Sequence, residues 1–317
     1  MNNKKIMSKV SVIIPVYNVE RYIERCVRSL FEQTLIDMEY IFVDDCSPDN
    51  SINILESVLE EYPNRKSQVK IIRHLENKGL PIARKTGIDN STGDYIIQCD
   101  SDDWVDKDMY KAMYNMAVNT HSDVVVCGYY VSDGISNVPY IGSKYTDKNS
   151  YIRDCLLQKE SASLWSKLFK RELFNNNITY PKYAMGEDIA LCLQLVYYSS
   201  KLCFISKAYY YYYSNLNSIS KKQSDDSVIS RFNQIYYNIL LLERFFKQIN
   251  VDKCISNAFD CFKHLQRNLL APILTQKKYY KVWRTCFGDI NKKVLFMPFN
   301  FKDKFIFILR FTRLIKK

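Results

Sequence analysis

Acidic side chains occur in three short clusters, Asp44–Asp45, Asp100–Asp103 and Glu187–Asp188. Carboxylates this close repel one another unless a positive charge lies among them. A Mg²⁺ or Mn²⁺ ion that is bound by one or two carboxylates and by phosphate oxygens meets that requirement. The sequence therefore predicts a divalent metal at these clusters, in contact with a phosphorylated substrate. For any one cluster taken alone, the alternative is a set of solvated turn residues.

The segments around the clusters alternate between predicted strands and helices. Apolar runs predict strands over residues 10–17, 39–45, 69–74, 94–100 and 123–131, and helical periodicity predicts helices over 19–35, about 80–91 and 108–120. Such alternation implies a mainly parallel sheet with right-handed crossovers. Ligands of these sheets bind outside the carboxyl ends of the strands, where the first two clusters fall. Residues 132–150 are expected to form a loop or a short hairpin.

The composition is that of a globular protein. The 317 residues are 47% apolar and 25% charged, which is enough for one large domain or for a domain with an appendage. The ten cysteines form no CxxC pair, so we expect buried free thiols in a reducing compartment. Pro15 interrupts the first apolar run, which argues against a signal peptide, and no apolar stretch reaches the roughly 20 residues of a membrane span. These features predict a cytoplasmic, non-spanning protein.

The positive charge is concentrated at the C-terminal end. The net charge is +11, and residues 251–317 hold 15 Lys and Arg against 4 Asp and Glu, whereas the first 250 residues are balanced. A basic segment rich in large apolar residues is typical of proteins that bind anionic membranes. On a helix over 300–317, one side would carry Phe305, Ile308, Leu309, Thr312 and Ile315. We therefore expect peripheral binding at the inner face of the plasma membrane, with a helix packed on its own protein as the alternative, and no nucleic-acid partner.

Beyond about residue 222 the strand signals fade, and two long amphipathic helices follow. The predicted organisation is an α/β domain over 1–220 and a basic α-helical extension over 221–317.

Six blocks in the first part of the chain resemble, in order, the inverting GT-A-fold glycosyltransferases of family 2, which build bacterial polysaccharides. The blocks are VSVIIPVYNVERYIERCVRSLFEQT, YIFVDDCSPDNS, NKGLPIARKTGIDNSTGDYIIQCDSDDW, LWSKLFKRELF, GEDIALCLQL and YYYYYSNLNSIS. The resemblance covers about 1–220. It implies the fold of nucleotide-diphospho-sugar transferases, in which helices flank a mainly parallel, Rossmann-like sheet.

The resemblance also implies which residues bind the nucleotide. Pro15, Tyr17 and Glu20 match the loop after the first strand that contacts the base. Asp45 matches the carboxylate that hydrogen-bonds the pyrimidine ring, or it caps the following helix. Arg84 falls near the donor in the family, and a structural ion pair is its alternative.

Asp100, Ser101 and Asp102 match the family's D-x-D motif. Asp102 is expected to contact the metal, and Asp100 to face the ribose or the water shell of the metal. Asp103 is interpreted as a turn residue. The Mn²⁺ or Mg²⁺ ion would neutralise charge on the departing nucleoside diphosphate.

The chemical step and the acceptor side are implied by the later blocks. Asp188 matches the catalytic base, which takes the proton of the acceptor hydroxyl in a single displacement. Glu187 would orient the acceptor or support Asp188, and an N-terminal helix cap is a compatible role for both. Trp165 and Lys167 border the acceptor side, where Trp165 either stacks on a sugar or packs in the core.

Two departures from the family pattern narrow the prediction. Tyr213 and Asn215 stand where many relatives have Arg and a metal- or diphosphate-binding His, and the Q-x-x-R-W motif of processive synthases is missing. We expect an enzyme that moves one hexosyl or N-acetylhexosaminyl unit from a nucleotide-sugar, most simply a UDP-sugar. The acceptor would be a glycan or a lipid-linked hydroxyl in capsular or exopolysaccharide synthesis. The alternative is a degenerate, non-catalytic member that binds nucleotide-sugar or a partner.

Overall fold

The computed structural model describes residues 8–214 and 224–312, which contain one nine-stranded sheet flanked by helices. The strands are β1 (Val10–Val16), β2 (Met38–Asp44), β3 (Val69–Arg73), β4 (Tyr95–Gln98), β5 (Trp104–Val105), β6 (Val124–Ser132), β7 (Asn137–Tyr140), β8 (Lys167–Lys170) and β9 (Leu202–Tyr213). The α-helices of the first 214 residues are α1 (Ile23–Phe31), α2 (Ser51–Glu60), α3 (Leu80–Asp89), α4 (Met109–Thr120), α5 (Lys148–Leu156) and α6 (Glu187–Tyr198).

The sheet is parallel in one half and mixed in the other. Strands run in the order β3-β2-β1-β4-β8-β6-β9-β5, and the first four pair in parallel. β8 lies between β4 and β6 and is antiparallel to both. The α/β prediction is confirmed, but half of the strand pairings are antiparallel, because the short strands β5, β7 and β8 run against the strands beside them.

The region around β6 and β9 contains a hairpin and a long strand. β7 pairs antiparallel with β6, so residues 132–150 do contain the short hairpin. The tyrosine run Tyr209–Tyr213 ends β9, because Leu202–Ile205 already pair with β6.

The parallel half of the sheet is buried on both faces. Every residue of β1 and β2 is buried, and α1 packs its apolar side against them. β4 can begin beside β1 because residue 93 is glycine: a Cβ there would lie 2.6 Å from Ser11 Oγ. The close approach fixes the register in which β4 delivers the Asp100–Asp103 segment to the carboxyl end of the sheet.

The C-terminal part is helical, as expected. Its α-helices are α7 (Asp225–Gln248), α8 (Lys253–Arg267), α9 (Lys277–Thr285) and α10 (Phe301–Phe311). Their buried side chains, among them Phe232, Leu242 and Trp283, belong to one hydrophobic core with residues of α5 and α6. The division of the chain at residue 220 stays a prediction.

The last helix presents an apolar side to solvent. Phe301, Phe305 and Ile308 are exposed on α10, whereas Phe307 is buried. Ile315, which was expected on the same side of this helix, lies outside the described residues. Over residues 8–214 and 224–312, no helix is both long enough and apolar enough to cross a membrane.

Candidate active site

Arg84 joins the second and third acidic clusters. Its side chain projects from α3, is only 3% exposed, and bonds three carboxylates. Nη2 donates to Asp100 at 2.6 Å, and Nη1 donates to Asp188 at 2.5 Å and also to Glu187. The structure shows Arg84 as an ion-pair centre, and its contact with the donor stays a prediction.

One guanidinium cannot neutralise three carboxylates, and burial makes the imbalance matter. Burial, with the charges of Asp188 and Asp100, raises the pKa of Glu187 to about 8 although Arg84 opposes the shift. The pKa of Asp100 is also raised by burial. The ionised form of Glu187 is therefore disfavoured by burial, while the side chain of Asp188 is 36% exposed.

The Asp100–Asp103 segment is held by an aromatic side chain of β9. The hydroxyl of Tyr210 accepts from the backbone N–H of Asp100 at 3.0 Å and donates to Asp103 Oδ2 at 2.7 Å. The backbone N–H of Tyr213 donates to Asp103 Oδ1 at 2.6 Å. Asp103 is therefore more than a turn residue, because its carboxylate ties the loop to β9. Ser101 is buried in the same turn.

Asp102 is the acid of this loop with a poorly compensated charge. Burial, followed by the charge of Asp100, raises its pKa to about 6. The nearest cation is Arg25, whose Nη2 donates to the backbone carbonyl of Asp102 at 3.1 Å and whose guanidinium lies 3.7 Å from the ring centre of Trp104. A cation bound at the Asp102 carboxylate would remove the cost of this burial.

Asp45 sits at the end of β2 and organises the loop between β3 and α3. Its carboxylate accepts from the backbone N–H groups of Lys78 at 2.9 Å and Gly79 at 2.8 Å. It also bonds His74 Nδ1 at 2.7 Å, and the other ring nitrogen bonds Thr86. The contact of Asp45 with a pyrimidine ring stays a prediction.

The loop after β1 is tied to the loop after β2. The backbone N–H of Glu20 donates to Asp49 Oδ2 at 2.8 Å, and the Glu20 carboxylate accepts from the backbone of Asn50 at 3.2 Å. Tyr17 is 47% exposed beside this junction. Pro15 was expected to follow the first strand, which is wrong: it is buried within β1, paired with Val43.

The two residues expected on the acceptor side are buried. Trp165 stacks on Tyr210 with ring centres 4.3 Å apart and packs edge-on against Tyr129, so it is a core residue. The Nζ of Lys167 donates to the backbone carbonyl of Ser163 at 2.7 Å, and the side chain has no exposed surface. Stacking of Trp165 on a sugar is therefore not available in this structure, because tyrosine rings already cover it.

The loop before α6 is held by side chains of α7. Asn238 Nδ2 donates to the backbone carbonyls of Tyr183 and Met185, both at 2.8 Å, and Gln234 Oε1 accepts from the N–H of Met185 at 3.2 Å. Asp188 follows three residues later in the first turn of α6. The C-terminal helices thus take part in positioning the candidate base.

Comparisons with known proteins identify the family of the chain. Residues 11–186, more than half of the chain, match the glycosyl transferase family 2 model. The chain belongs to glycosyl transferase family 2. Glycosyltransferase GlyA of Streptococcus pneumoniae serotype 4 is 32% identical over 225 residues, which are 67% of this chain and 32% of GlyA. The chain therefore spans about a third of the length of that curated relative.

Solved structures of transferases share the fold of this family 2 chain. The crystal structure of S. aureus TarS 1-349 in complex with UDP-GlcNAc superposes with a TM-score of 0.59 at 22% identity, covering 84% of each chain. Mannosyltransferase PcManGT from Pyrobaculum calidifontis, in complex with GDP-Man and Mn²⁺, superposes with a TM-score of 0.56 at 16% identity, covering 90% of this chain and 81% of that one. These superpositions show that the chain has the GT-A fold.

A divalent ion fits the acids of this family 2 site only in part. In the part of the chain that the structure describes, no three His, Cys, Asp or Glu side chains are arranged as a metal site. Asp102 and Asp100 offer two carboxylates, and Asp100 is already paired with Arg84. Such a site suits a metal that takes its remaining ligands from the phosphates of a substrate. Asn215, the residue at the position of the usual His, lies outside the described residues.

Three supporting residues escaped the sequence prediction. Tyr210 was visible only as one tyrosine in a run of five, and Arg25 only as one of several charges on α1. Asn238 gave no signal, because nothing in the sequence of α7 indicates that its amide reaches a loop more than 50 residues earlier.

Proposed function

We propose that the protein is an inverting glycosyltransferase that moves one sugar from a UDP-sugar to an acceptor hydroxyl with Asp188 as base. The observation that carries the proposal is the Arg84 centre. It holds a partly exposed carboxylate, Asp188, beside the Asp100–Asp103 segment at the carboxyl end of the sheet, where nucleotides bind in such folds.

The displacement needs one base and no nucleophile on the protein. The acceptor oxygen attacks the anomeric carbon, its proton passes to Asp188, and the bond from that carbon to the diphosphate oxygen breaks. Arg84 fixes the direction of Asp188, and Glu187 accepts from the same guanidinium nitrogen. The configuration at the anomeric carbon inverts because a single attack occurs from the face opposite the leaving group.

The donor would be held by the loops after β1 and β2 and by the Asp100–Asp103 segment. Tyr17, which is exposed after β1, and Asp45 would contact the base, and UDP is favoured by the UDP-GlcNAc complex of TarS. Asp102, with Asp100 beside it, would hold a Mn²⁺ or Mg²⁺ ion, whose chemistry is to neutralise the charge of the diphosphate. Contacts deeper in the cleft would determine whether the transferred sugar is a hexose or an N-acetylhexosamine.

The acceptor proposal is a glycan or a lipid-linked glycan in cell-surface polysaccharide synthesis at the cytoplasmic face of the plasma membrane. Three aromatic side chains near the end of the described residues are exposed: Phe296, Phe301 and Phe305. They are close in sequence to Lys302 and Lys304. Aromatic side chains with lysines between them are suited to the surface of an anionic bilayer.

The test of the catalytic role uses Asp188→Asn in the full-length chain. Transfer should fall by at least about 10²-fold, the low end of the contribution of a general base. UDP binding, measured by calorimetry with and without Mn²⁺, should be retained because Asp188 is not a donor ligand. The control is Asp89→Asn, which alters an exposed carboxylate of α3 outside the site. Unchanged transfer by Asp188→Asn would remove this residue from the role.

The membrane proposal is tested separately with vesicles of phosphatidylcholine and phosphatidylserine. The double variant Phe301→Asp/Phe305→Asp should bind them several-fold less than wild type, while Val118→Asp, on an exposed position of α4, should bind normally. Equal binding by all three proteins would mean that α10 is not the contact surface.

A further inference from the structure

A cavity of about 410 Å³ lies where the catalytic half of the chain meets its C-terminal helices. Its walls come from the β6–β7 hairpin, the segment after α5, the start of α6, and helices α7 and α8. The volume falls in the range of about 300–1,000 Å³ that is typical of pockets for small ligands. It is distinct from the donor side, since none of Asp45, Asp100 and Asp102 lines it.

The cavity lies next to the candidate base. Gly186 and Ile189 line it, and they enclose Glu187 and Asp188 in the chain. Gly186 has a φ of +78°, a left-handed conformation that glycine adopts without strain, and a Cβ there would point toward Ile235 at 3.6 Å. The start of α6 therefore borders both this cavity, through Gly186 and Ile189, and the Arg84 centre, through Glu187 and Asp188.

The lining is rich in hydrogen-bonding groups and has no cation. Among the described residues that line it there is no Lys, Arg or His, although the chain as a whole is strongly basic. Its polar side chains include Gln158, Glu160, Asn238 and Gln266, and its aromatic ones include Tyr129 and Tyr140.

Glu160 is the one carboxylate of the lining, and its orientation is fixed. It is buried, with Oε1 accepting from the Tyr140 hydroxyl at 3.2 Å and the Ser161 N–H at 3.2 Å, and Oε2 accepting from the Ser143 N–H at 3.0 Å. An ionised carboxylate has about four acceptor sites, so one site on Oε2 is left for a further donor. A hydroxyl is the donor that a ligand without charge can supply.

We propose that this cavity binds the acceptor, and that the acceptor end is an uncharged saccharide. The inference rests on the proposed function, because it takes Asp188 as the base. A phosphorylated or carboxylated acceptor would meet the Glu160 carboxylate with no cation to offset the repulsion. A purely aliphatic or sterol acceptor would leave Glu160 and the amides without partners after water is displaced, which is unfavourable. A saccharide offers hydroxyls to Glu160 and the amides, and C–H faces to the tyrosines and isoleucines.

The bound saccharide then supplies the hydroxyl of the reaction. Its oxygen bonds to the anomeric carbon of the donor sugar, its proton passes to Asp188, and the nucleoside diphosphate leaves with the electron pair of the broken carbon–oxygen bond.

The first measurement compares acceptors with the full-length protein and UDP-sugars. The probes are p-nitrophenyl hexosides and N-acetylhexosaminides, p-nitrophenyl glucuronide, ribitol phosphate and cholesterol. We expect transfer to one or more neutral glycosides at least about tenfold faster than to either anionic probe or to cholesterol. Preferred transfer to an anionic probe or to cholesterol would overturn the inference.

The second measurement places the acceptor in the cavity. Ala162→Phe puts a ring into the cavity from its partly buried wall, and should lower the ratio of transfer to donor hydrolysis at least about tenfold. Val118→Phe, on exposed α4, should leave that ratio unchanged. Thermal unfolding of both variants shows whether they are folded.

A charge change at the rim gives a test that does not depend on filling space. Gln158 is exposed at the cavity, and Gln158→Lys should improve transfer to p-nitrophenyl glucuronide relative to the glucoside by about fivefold, the effect of one exposed ion pair.

The outcomes separate the two levels of the argument. One outcome is that the wild-type protein hydrolyses the donor and that neither Ala162→Phe nor Gln158→Lys changes its transfer ratio. That outcome would overturn the assignment of the cavity to the acceptor and would leave the transferase proposal intact. A wild-type protein that binds no nucleotide and neither hydrolyses nor transfers would overturn the proposed function itself.

Discussion

Replacing Arg84 by methionine removes the one cation among three carboxylates while it keeps most of the side-chain volume. Glu187 and Asp100 are the partners that matter, because their side chains are 3% and 26% exposed. Asp188 contributes less, since at 36% exposure water screens its charge. Removing one partner of a buried ion pair costs about 3–5 kcal/mol, so we expect Arg84→Met to lower the free energy of unfolding by roughly 3 kcal/mol near pH 8.

The loss should depend on pH with a definite sign. The pKa of Glu187 is raised from 4.5 to about 8 in the folded protein, so the folded state binds more protons than the unfolded state between these values. Stability from this group is fully present below 4.5 and is lost as the pH rises through 8. Removing Arg84 raises the folded pKa further, so the variant keeps the Glu187 proton where the wild type loses it, and its deficit should grow from about pH 6 to about pH 9.

The assay is urea unfolding followed by tryptophan fluorescence at these two pH values. Lys85→Met is the matched control on the same helix, because its i,i+4 pair with Asp89 is exposed and is worth no more than about 0.5 kcal/mol. The reasoning is refuted if Arg84→Met loses no more stability than Lys85→Met, or if its deficit shrinks as the pH rises.

Three further perturbations probe the supports of the site. Asp102→Asn should weaken UDP binding in calorimetry when Mn²⁺ is present; an equal loss in EDTA would contradict the metal role. Tyr210→Phe leaves Oδ2 of the buried Asp103 without its hydroxyl donor, and urea unfolding should show a loss of about 1–3 kcal/mol; no loss would mean that water replaces the hydroxyl. Gly93→Ala drives a methyl group into Ser11 and should cost about 1–3 kcal/mol in the same assay, whereas a neutral result would show that β4 can shift.

The parallel half of the fold was predictable because its signals are local. Unbroken apolar runs gave β1, β2 and β4, and a helical period gave α1, although that helix begins at Ile23 rather than at residue 19. In the other half β6 and the β7 hairpin were also expected, but β5 and β8 were not, because β5 has two residues and β8 has four, too few for a period to appear.

The site could be predicted in part. The motifs identified Arg84, Asp100 and Asp188, which the structure brings together through one guanidinium. The same motifs put Trp165 and Lys167 at the acceptor side, but a motif match does not show which way a side chain points, and both point inward.

Supporting contacts were invisible for a different reason. The bonds from Tyr210 to Asp103 and from Asn238 to Met185 join segments 107 and 53 residues apart. Their partners are ordinary polar groups, so no spacing in the sequence marks them. Only the packed structure determines which amide or hydroxyl completes such a pair.

The contacts of the Asn238 amide have a consequence for folding during synthesis on the ribosome. Chains emerge N-terminus first at about 5–20 residues per second, so the whole family 2 segment up to residue 186 is synthesised before α7 exists. Until Asn238 and Gln234 bind the loop before Asp188, that loop lacks the contacts that set its course. The loop before Asp188 would therefore reach its final course only after α7 has been synthesised.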